Sequence, residues 1–413
     1  MHEYLIILGI SLVVLGYGYF SRLLSLWNIS GPMVFTTVGV LLSPLGFGGE
    51  AVTPKAEAVQ VVAEIALIVV LFSDAAGIDL MKLKPYWRLP GRLLFIALPL
   101  SIVLTWMTAK FLFPEESSNL YLLLLALILA PTDAALGKAV VSDPRIPEIV
   151  RNTINVESGL NDGIVFPMLL MVLALISGEG NAQGGESMQG PLLYIAQQIL
   201  FGALAGAAVG WSGAKLGRFS MRRGWMEHQY YNLVPLALAI FAFYLAELVG
   251  GNGYIAAFFG GLLLGNSDVT LRKHVEEFAE SEGELLVMIS FLVFGLVFVP
   301  LSLPHWDFKA FLFALLSLTL LRILPVLLGF GRFPLDLSTR LFIGWFGPRG
   351  IASILYILVA VHQLGGFKGH ERIFSIAALT ILLSILLHGL SARPLAILYA
   401  RREAGEVLTN TPD

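Results

Sequence analysis

Apolar runs long enough to cross a bilayer recur from one end of this chain to the other, with no room between them for a soluble domain. An untilted helix needs roughly 20 apolar residues to cross. In lipid, each crossing segment must satisfy its own backbone hydrogen bonds. The fold class that follows is an all-α polytopic membrane protein. About thirteen runs qualify, at 4–20, 31–46, 58–77, 93–113, 120–141, 149–176, 192–214, 230–250, 253–266, 283–300, 307–330, 340–362 and 371–399, the second and ninth being short and glycine-rich. Composition agrees, since 57% of the 413 residues are hydrophobic and only 13% charged, against roughly 25% charged in soluble domains. Mean hydropathy is +0.80.

Several function classes fall away at once. A net charge of −3 gives no basis for binding nucleic acid. The chain has no cysteine, which excludes disulfides, thiolate metal sites and thiol catalysis. Its seven histidines are scattered, with no pair at metal-ligand spacing, and no cofactor is expected. The first apolar run lacks a positive flank and a small-residue cleavage site, so it is read as a retained helix rather than a signal peptide.

Thirteen spans place alternate loops on opposite sides. One set of loops holds 19 Lys and Arg residues and the other only Lys55, Lys110, Lys309, Lys368 and Arg372. The positive-inside rule then puts the N-terminus outside and the C-terminus in the cytoplasm of a cell (inner) membrane. Thirteen also divides as six, one and six. Residues 1–177 and 229–402 become two inverted six-helix repeats joined by span seven, within one transporter unit over 1–402, and 403–413 is a short cytoplasmic tail. Under that division span five, broken by Pro131-Thr132-Asp133, corresponds to span twelve, broken by Gly347-Pro348-Arg349-Gly350. Two interrupted helices in corresponding positions point to a binding site near the midplane.

The polar groups at and near these breaks carry the chemistry, because carboxylates kept inside a bilayer usually serve ion or proton traffic. A break at Pro131 frees carbonyls, including that of Thr132, to coordinate a cation, and Asp133 adds charge. About one helix later comes Glu157-Ser158-Gly159-Leu160-Asn161-Asp162. Ser158 and Asp162 share a helix face. Asp162 is assigned as the exchanging carboxylate, holding a proton or a cation but not both, with Ser158 as a hydroxyl ligand and Asn161 orienting or gating. Glu157 points off that face, toward an arginine. Arg322 and Arg349 are the basic residues well inside spans and need partners; the sequence offers Glu157 to either. Arg349 can also offset charge where the two interrupted helices cross. Asp74 either completes the site or marks, with Asp79, the cytoplasmic end of span three. Glu64 and Glu247 fit a dimer interface or an aqueous funnel, and His388 fits a pH sensor or a packing role.

These residues resemble the signatures of the NhaP-like sodium/proton antiporters, within the monovalent cation:proton antiporter family. The resemblance spans nearly the whole chain. It implies a thirteen-helix fold, a homodimer, and a six-helix core moving as an elevator against a dimerisation domain. It also implies that Thr132, Asp133, Ser158 and Asp162 are ion ligands, that Asn161 is a gating asparagine, and that Glu157 pairs with a core arginine. The chain departs from the pattern in three ways. Ala134-Ala135 follows the Thr-Asp where many relatives have proline, Asp74 is shorter than the glutamate often found there, and long regulatory tails are absent. Asn161-Asp162 in place of two adjacent acids implies electroneutral one-for-one exchange of H+ for Na+, with Li+ and K+ served by similar ligands. Proton competition at Asp162 would lower activity at acidic pH.

Other readings fit less well. An uncoupled cation channel needs a continuous polar pore rather than one concentrated site. An intramembrane aspartyl protease needs a Gly-x-Gly-Asp signature that is absent and leaves Thr132, Ser158 and Asn161 without a role. An organic-anion transporter would present arginines, not acids.

Overall fold

The structure is a computed structural model that describes residues 2–43, 57–84, 86–116, 118–133, 136–137, 140, 143–177, 189–278, 283–331 and 333–409. Ala134, Ala135 and some other residues in the second half of span five lie outside them, as do Lys55, Lys138 and Arg332. The principal helices are α1 His2–Leu26, α2 Gly31–Leu42, α3 Glu57–Gly77, α4 Arg88–Leu112, α5 Asn119–Ile128, α6 Glu148–Ser177, α7 Gln189–Arg222 and α8 Leu233–Leu248. They continue with α9 Gly253–Ser267, α10 Val269–Phe278, α11 Glu284–His305, α12 Phe308–Phe330, α13 Leu337–Trp345, α14 Ile351–Gln363 and α15 Glu371–Thr409. Among the described residues, seven helices are long and apolar enough to cross a membrane by themselves, and shorter apolar helices lie between them. α15 continues through most of the expected tail, to Thr409; residues 410–413 lie outside the described ones.

Proline placement explains the irregularities. In α4 and α11 a wide π turn, Leu93–Ala97 and Phe294–Phe298, comes just before Pro99 and Pro300, where the ring would otherwise clash with the preceding turn. Pro325 inside α12 cannot bond to the carbonyl of Leu321, and that carbonyl instead accepts a 2.9 Å hydrogen bond from the Ser101 hydroxyl on α4.

The helices pack in two groups. α3, α7, α8, α9 and α10 form one; α4, α5, α6, α12, α13, α14 and α15 form the other; α1 packs on α2 and α2 on α11, which touches α3 on one side and α14 and α15 on the other. Lipid tails are as apolar as leucine, so helices in a bilayer associate mainly through close packing. The first group achieves it with glycine seams. A Cβ added to Gly206 on α7 would strike the backbone of Ala256 on α9, and one added to Gly265 on α9 would strike that of Ala76 on α3. The second group is built around the two broken helices, whose ends meet in its interior.

Candidate functional site

α5 stops at Ile128, and the chain runs extended through Pro131-Thr132-Asp133; α13 stops at Trp345, and the chain runs irregularly to Gly350 before α14 begins. These stretches cross. The Asp133 N–H donates to the Pro348 carbonyl at 2.8 Å, and the N–H of Ile351, the first residue of α14, donates to Asp133 Oδ2 at 2.8 Å. Asp133 therefore caps a helix N-terminus, where backbone donors and the helix dipole favour an anion. A side chain on Gly350 would overlap this carboxylate. From the other strand, Arg349 Nη1 donates to the carbonyls of Ala130 (3.1 Å) and Pro131 (3.2 Å), at the C-terminal end of α5. Its charge lies where the end of a helix favours a cation.

α6 passes beside the crossing. Ser158 donates to the Thr132 carbonyl at 2.6 Å, and Asn161 Nδ2 donates to Thr132 Oγ1 at 2.6 Å. Asp162 is 3% exposed, and its Oδ1 has no hydrogen-bond partner. Its backbone carbonyl accepts from the Tyr356 hydroxyl on α14 at 3.2 Å. The structure thus brings Thr132, Ser158 and Asn161 into one hydrogen-bonded set, with Asp162 on the same helix and unpaired at Oδ1. Among the described residues, no three His, Asp or Glu side chains are gathered closely enough to hold a metal ion, so Asp74, Asp133 and Asp162 do not converge on one point.

The open question of Glu157 has a geometric answer. Glu157 and Arg322 form a bidentate pair, 2.6 Å from Nη1 to Oε1 and 2.8 Å from Nη2 to Oε2, with both side chains at most 2% exposed. A side chain on Gly347 would run into this guanidinium, so that glycine makes room for it. Asp74 lies on the wall of a cavity of about 710 Å³ between the two helix groups. Asp133, Ser158 and Gly159 lie on the same cavity, and Ser25, Glu276 and Arg393 lie toward the arginine-rich loops. A smaller cavity of about 280 Å³ adjoins it at Gly77, Asn155 and Glu276 and is lined by the Asp79–Arg272 ion pair (2.9 Å).

Along α6 the order is informative. Asn155, Ser158 and Gly159 meet the cavity, Asp162 follows one turn on, and Phe166 one turn beyond that. Phe166 packs on Tyr254 (5.0 Å between ring centres) and Tyr356 (5.1 Å), and the Phe258 ring lies over Gly163. The cavity therefore approaches the carboxylate to within one helical turn from one direction, and aromatic rings lie on the other. Glu247 accepts from the Gly253 N–H at 2.7 Å, at the start of α9. His388 is buried in helix packing against Trp345. Sequence reasoning missed Tyr356 and Ser384. The signal was present, because Thr380, Ser384 and His388 repeat every fourth residue in an otherwise apolar helix.

Comparisons with known proteins point to one family. The Na(+)/H(+) antiporter NhaP of Pseudomonas aeruginosa is 29% identical over 347 residues, covering 79% of this chain and 78% of that protein. The K(+)/H(+) antiporter NhaP of Alkalimonas amylolytica is 25% identical over 366 residues, covering 88% of this chain and 61% of that protein. A Schizosaccharomyces pombe protein named "Probable Na(+)/H(+) antiporter" is 26% identical over 317 residues, with 73% of this chain covered. The chain spans only 41% of that last protein's length, so it falls short of two thirds of two of these relatives. The fold matches the solved sodium proton antiporter MjNhaP1 from Methanocaldococcus jannaschii with a TM-score of 0.77 at 20% identity, covering 97% of this chain and 100% of that one. The model of the transmembrane sodium/hydrogen exchanger family matches residues 9–398, and the chain belongs to that family.

Proposed function

We propose that this chain is a secondary antiporter that exchanges one monovalent cation, Na+ in the first instance, for one proton, with Asp162 holding one or the other. The observation that carries this reading is the buried Asp162 oxygen without a protein partner, one helical turn from the cavity. A buried carboxylate is tolerable only if protonated or paired with a cation, and either occupant satisfies it. Neutral oxygens of Thr132, Ser158 and Asn161 stand beside it as cation ligands, and Asp74 lines the approach. Because a single carboxylate takes one proton or one cation, the exchange is electroneutral. The activities for which the relatives are named agree on cation/proton exchange and differ between Na+ and K+, which keeps K+ as the alternative cargo.

Transport proceeds by alternating access. The cavity opens on the side that the positive-inside rule assigns to the cytoplasm, and the Phe166–Tyr254–Tyr356 cluster closes the outer side. Moving the group that holds the crossing past the glycine-seamed group would exchange these roles, as an elevator does. Thirteen crossings in two inverted repeats, and a homodimer in the cell membrane, complete the reading; the meeting of the two breaks in one crossing supports the repeat.

The test is proton movement in proteoliposomes of wild type and Asp162→Asn, with Na+, Li+ or K+ added in turn. Cation-driven proton flux in the wild type, lost in the variant and insensitive to an imposed voltage, is the expected result. Undiminished flux in the variant would overturn the assignment of Asp162.

A further inference from the structure

The break between α13 and α14 leaves the N–H of Arg349 without a helical acceptor, and the Trp345 carbonyl, which accepts from the Gly347 N–H at 2.8 Å, keeps room for a second donor. Both are taken up by one face of α15. The Arg349 N–H donates to Ser384 Oγ at 2.6 Å, and His388 Nε2 lies 3.0 Å from the Trp345 carbonyl. Ser384 Oγ and His388 Nδ1 are 3.1 Å apart, one helical turn from each other. Ser384 is 0% exposed and His388 1%.

We propose that Ser384 and His388 are positioning residues for ion exchange, setting the gap in the second interrupted helix and so the placement of Arg349 and Asp133 at the crossing. This rests on the antiporter reading above. A carbonyl can only accept, so Nε2 carries a proton. Ser384 Oγ accepts from Arg349, and His388 Nδ1 lies 3.1 Å from both that hydroxyl and the Ser384 carbonyl. The result is one connected set from the Arg349 N–H through the Ser384 hydroxyl to the imidazole, and from its Nε2–H to Trp345. The charged groups whose fields reach this imidazole are Arg349, from the break, and Arg322, from α12. His388 also stacks on Trp345, 4.9 Å between ring centres, which fixes the ring plane.

The consequence reaches the ion indirectly. The Arg349 backbone held by Ser384 is next to the Pro348 carbonyl that accepts from the Asp133 N–H. Asp133 adjoins Thr132, whose carbonyl and hydroxyl are held by Ser158 and Asn161. Loosening the gap therefore displaces Thr132 and weakens cation binding, while the scaffold elsewhere is untouched.

The experiment compares Ser384→Ala, His388→Ala and His388→Gln in the full-length protein. KM for Na+ and the acidic limb of the pH profile are measured in proteoliposomes, and stabilisation by Na+ against thermal unfolding is measured in detergent. Groups that orient metal ligands change affinity by about tenfold or more when removed, so KM in both alanine variants should rise on that order. Under proton–cation competition the acidic limb moves to higher pH, and stabilisation by Na+ shrinks. His388→Gln, whose amide N–H can take the place of Nε2–H, should lie nearer wild type than His388→Ala. A merely structural role would lower the yield or turnover of folded protein without moving KM or the pH limb. KM and pH limb within about twofold of wild type in both alanine variants would overturn the inference. If Asp162→Asn also keeps coupled exchange, the assignment of Asp162 on which this inference rests fails; if Asp162→Asn is inactive, only the positioning role does.

Discussion

Asp133 and Arg349 each neutralise the end of the helix to which the other belongs. Asp133, on the first broken helix, accepts from the N-terminal Ile351 of α14. Arg349, on the second, donates to the last carbonyls beyond α5. Two half-helix ends that would be intolerable in lipid are thereby satisfied together, and the breaks become one object.

Removing the cap should therefore show first as lost stability. Asp133→Ala deprives α14 of its N-terminal acceptor and should cost about 1–2 kcal/mol. Asp133→Asn keeps an oxygen acceptor and should cost less than Asp133→Ala. Thermal unfolding in detergent distinguishes the two; equal losses would mean that the charge, not the hydrogen bond, supports the helix.

The Glu157–Arg322 pair should behave as a unit. Glu157→Gln leaves a guanidinium buried without its counter-charge, and breaking such pairs costs about 3–5 kcal/mol. Glu157→Leu combined with Arg322→Met removes both charges and should recover most of that loss. A double variant no more stable than the single one would contradict this.

Competition at one carboxylate makes a quantitative demand on transport. Where a proton and a cation exclude each other one for one, a tenfold rise in Na+ should move the acidic half-maximum of exchange about one pH unit lower. Flux measured over a matrix of pH and Na+ checks this directly. A half-maximum that stays fixed as Na+ rises would point to a separate proton sensor.

At the connection between α9 and α10, Asp268 supplies a pH-dependent contribution to stability. Burial by itself would raise its carboxyl, but the N–H groups of Leu271 and Thr270 and the Arg218 guanidinium outweigh burial and hold it below the usual carboxylate range. A group depressed in the folded state stabilises fully above its unfolded value, about 3.9, and loses that contribution as pH falls through the folded one. Asp268→Asn should therefore melt below wild type at neutral pH, with the gap closing as pH drops below about 4.

Much of this was legible in the sequence because lipid restricts what a chain can do. Pro131 and Pro348 mark breaks, and acids inside apolar runs mark a site, since neither is tolerated idly there. What the sequence withheld was register between distant helices. Glu157 could have met either arginine, and it pairs with Arg322, whose guanidinium occupies the space left by Gly347. Asp133 read as an ion ligand because its type and position suit one; its Oδ2 also accepts at the start of α14, and nothing local announces an N–H contributed by residue 351. Ser384 and Tyr356 carry no charge, and single hydroxyls in apolar helices usually bond within their own helix.

The glycine seams joining α7, α9 and α3 reach beyond packing. Where backbones touch, even one methyl group has nowhere to go. In a survey of random variants, inactive alleles should gather along these seams as well as around Asp162. Mutational intolerance would then trace two separate maps on one molecule, one drawn by chemistry and the other by the bearing surface against which that chemistry is carried.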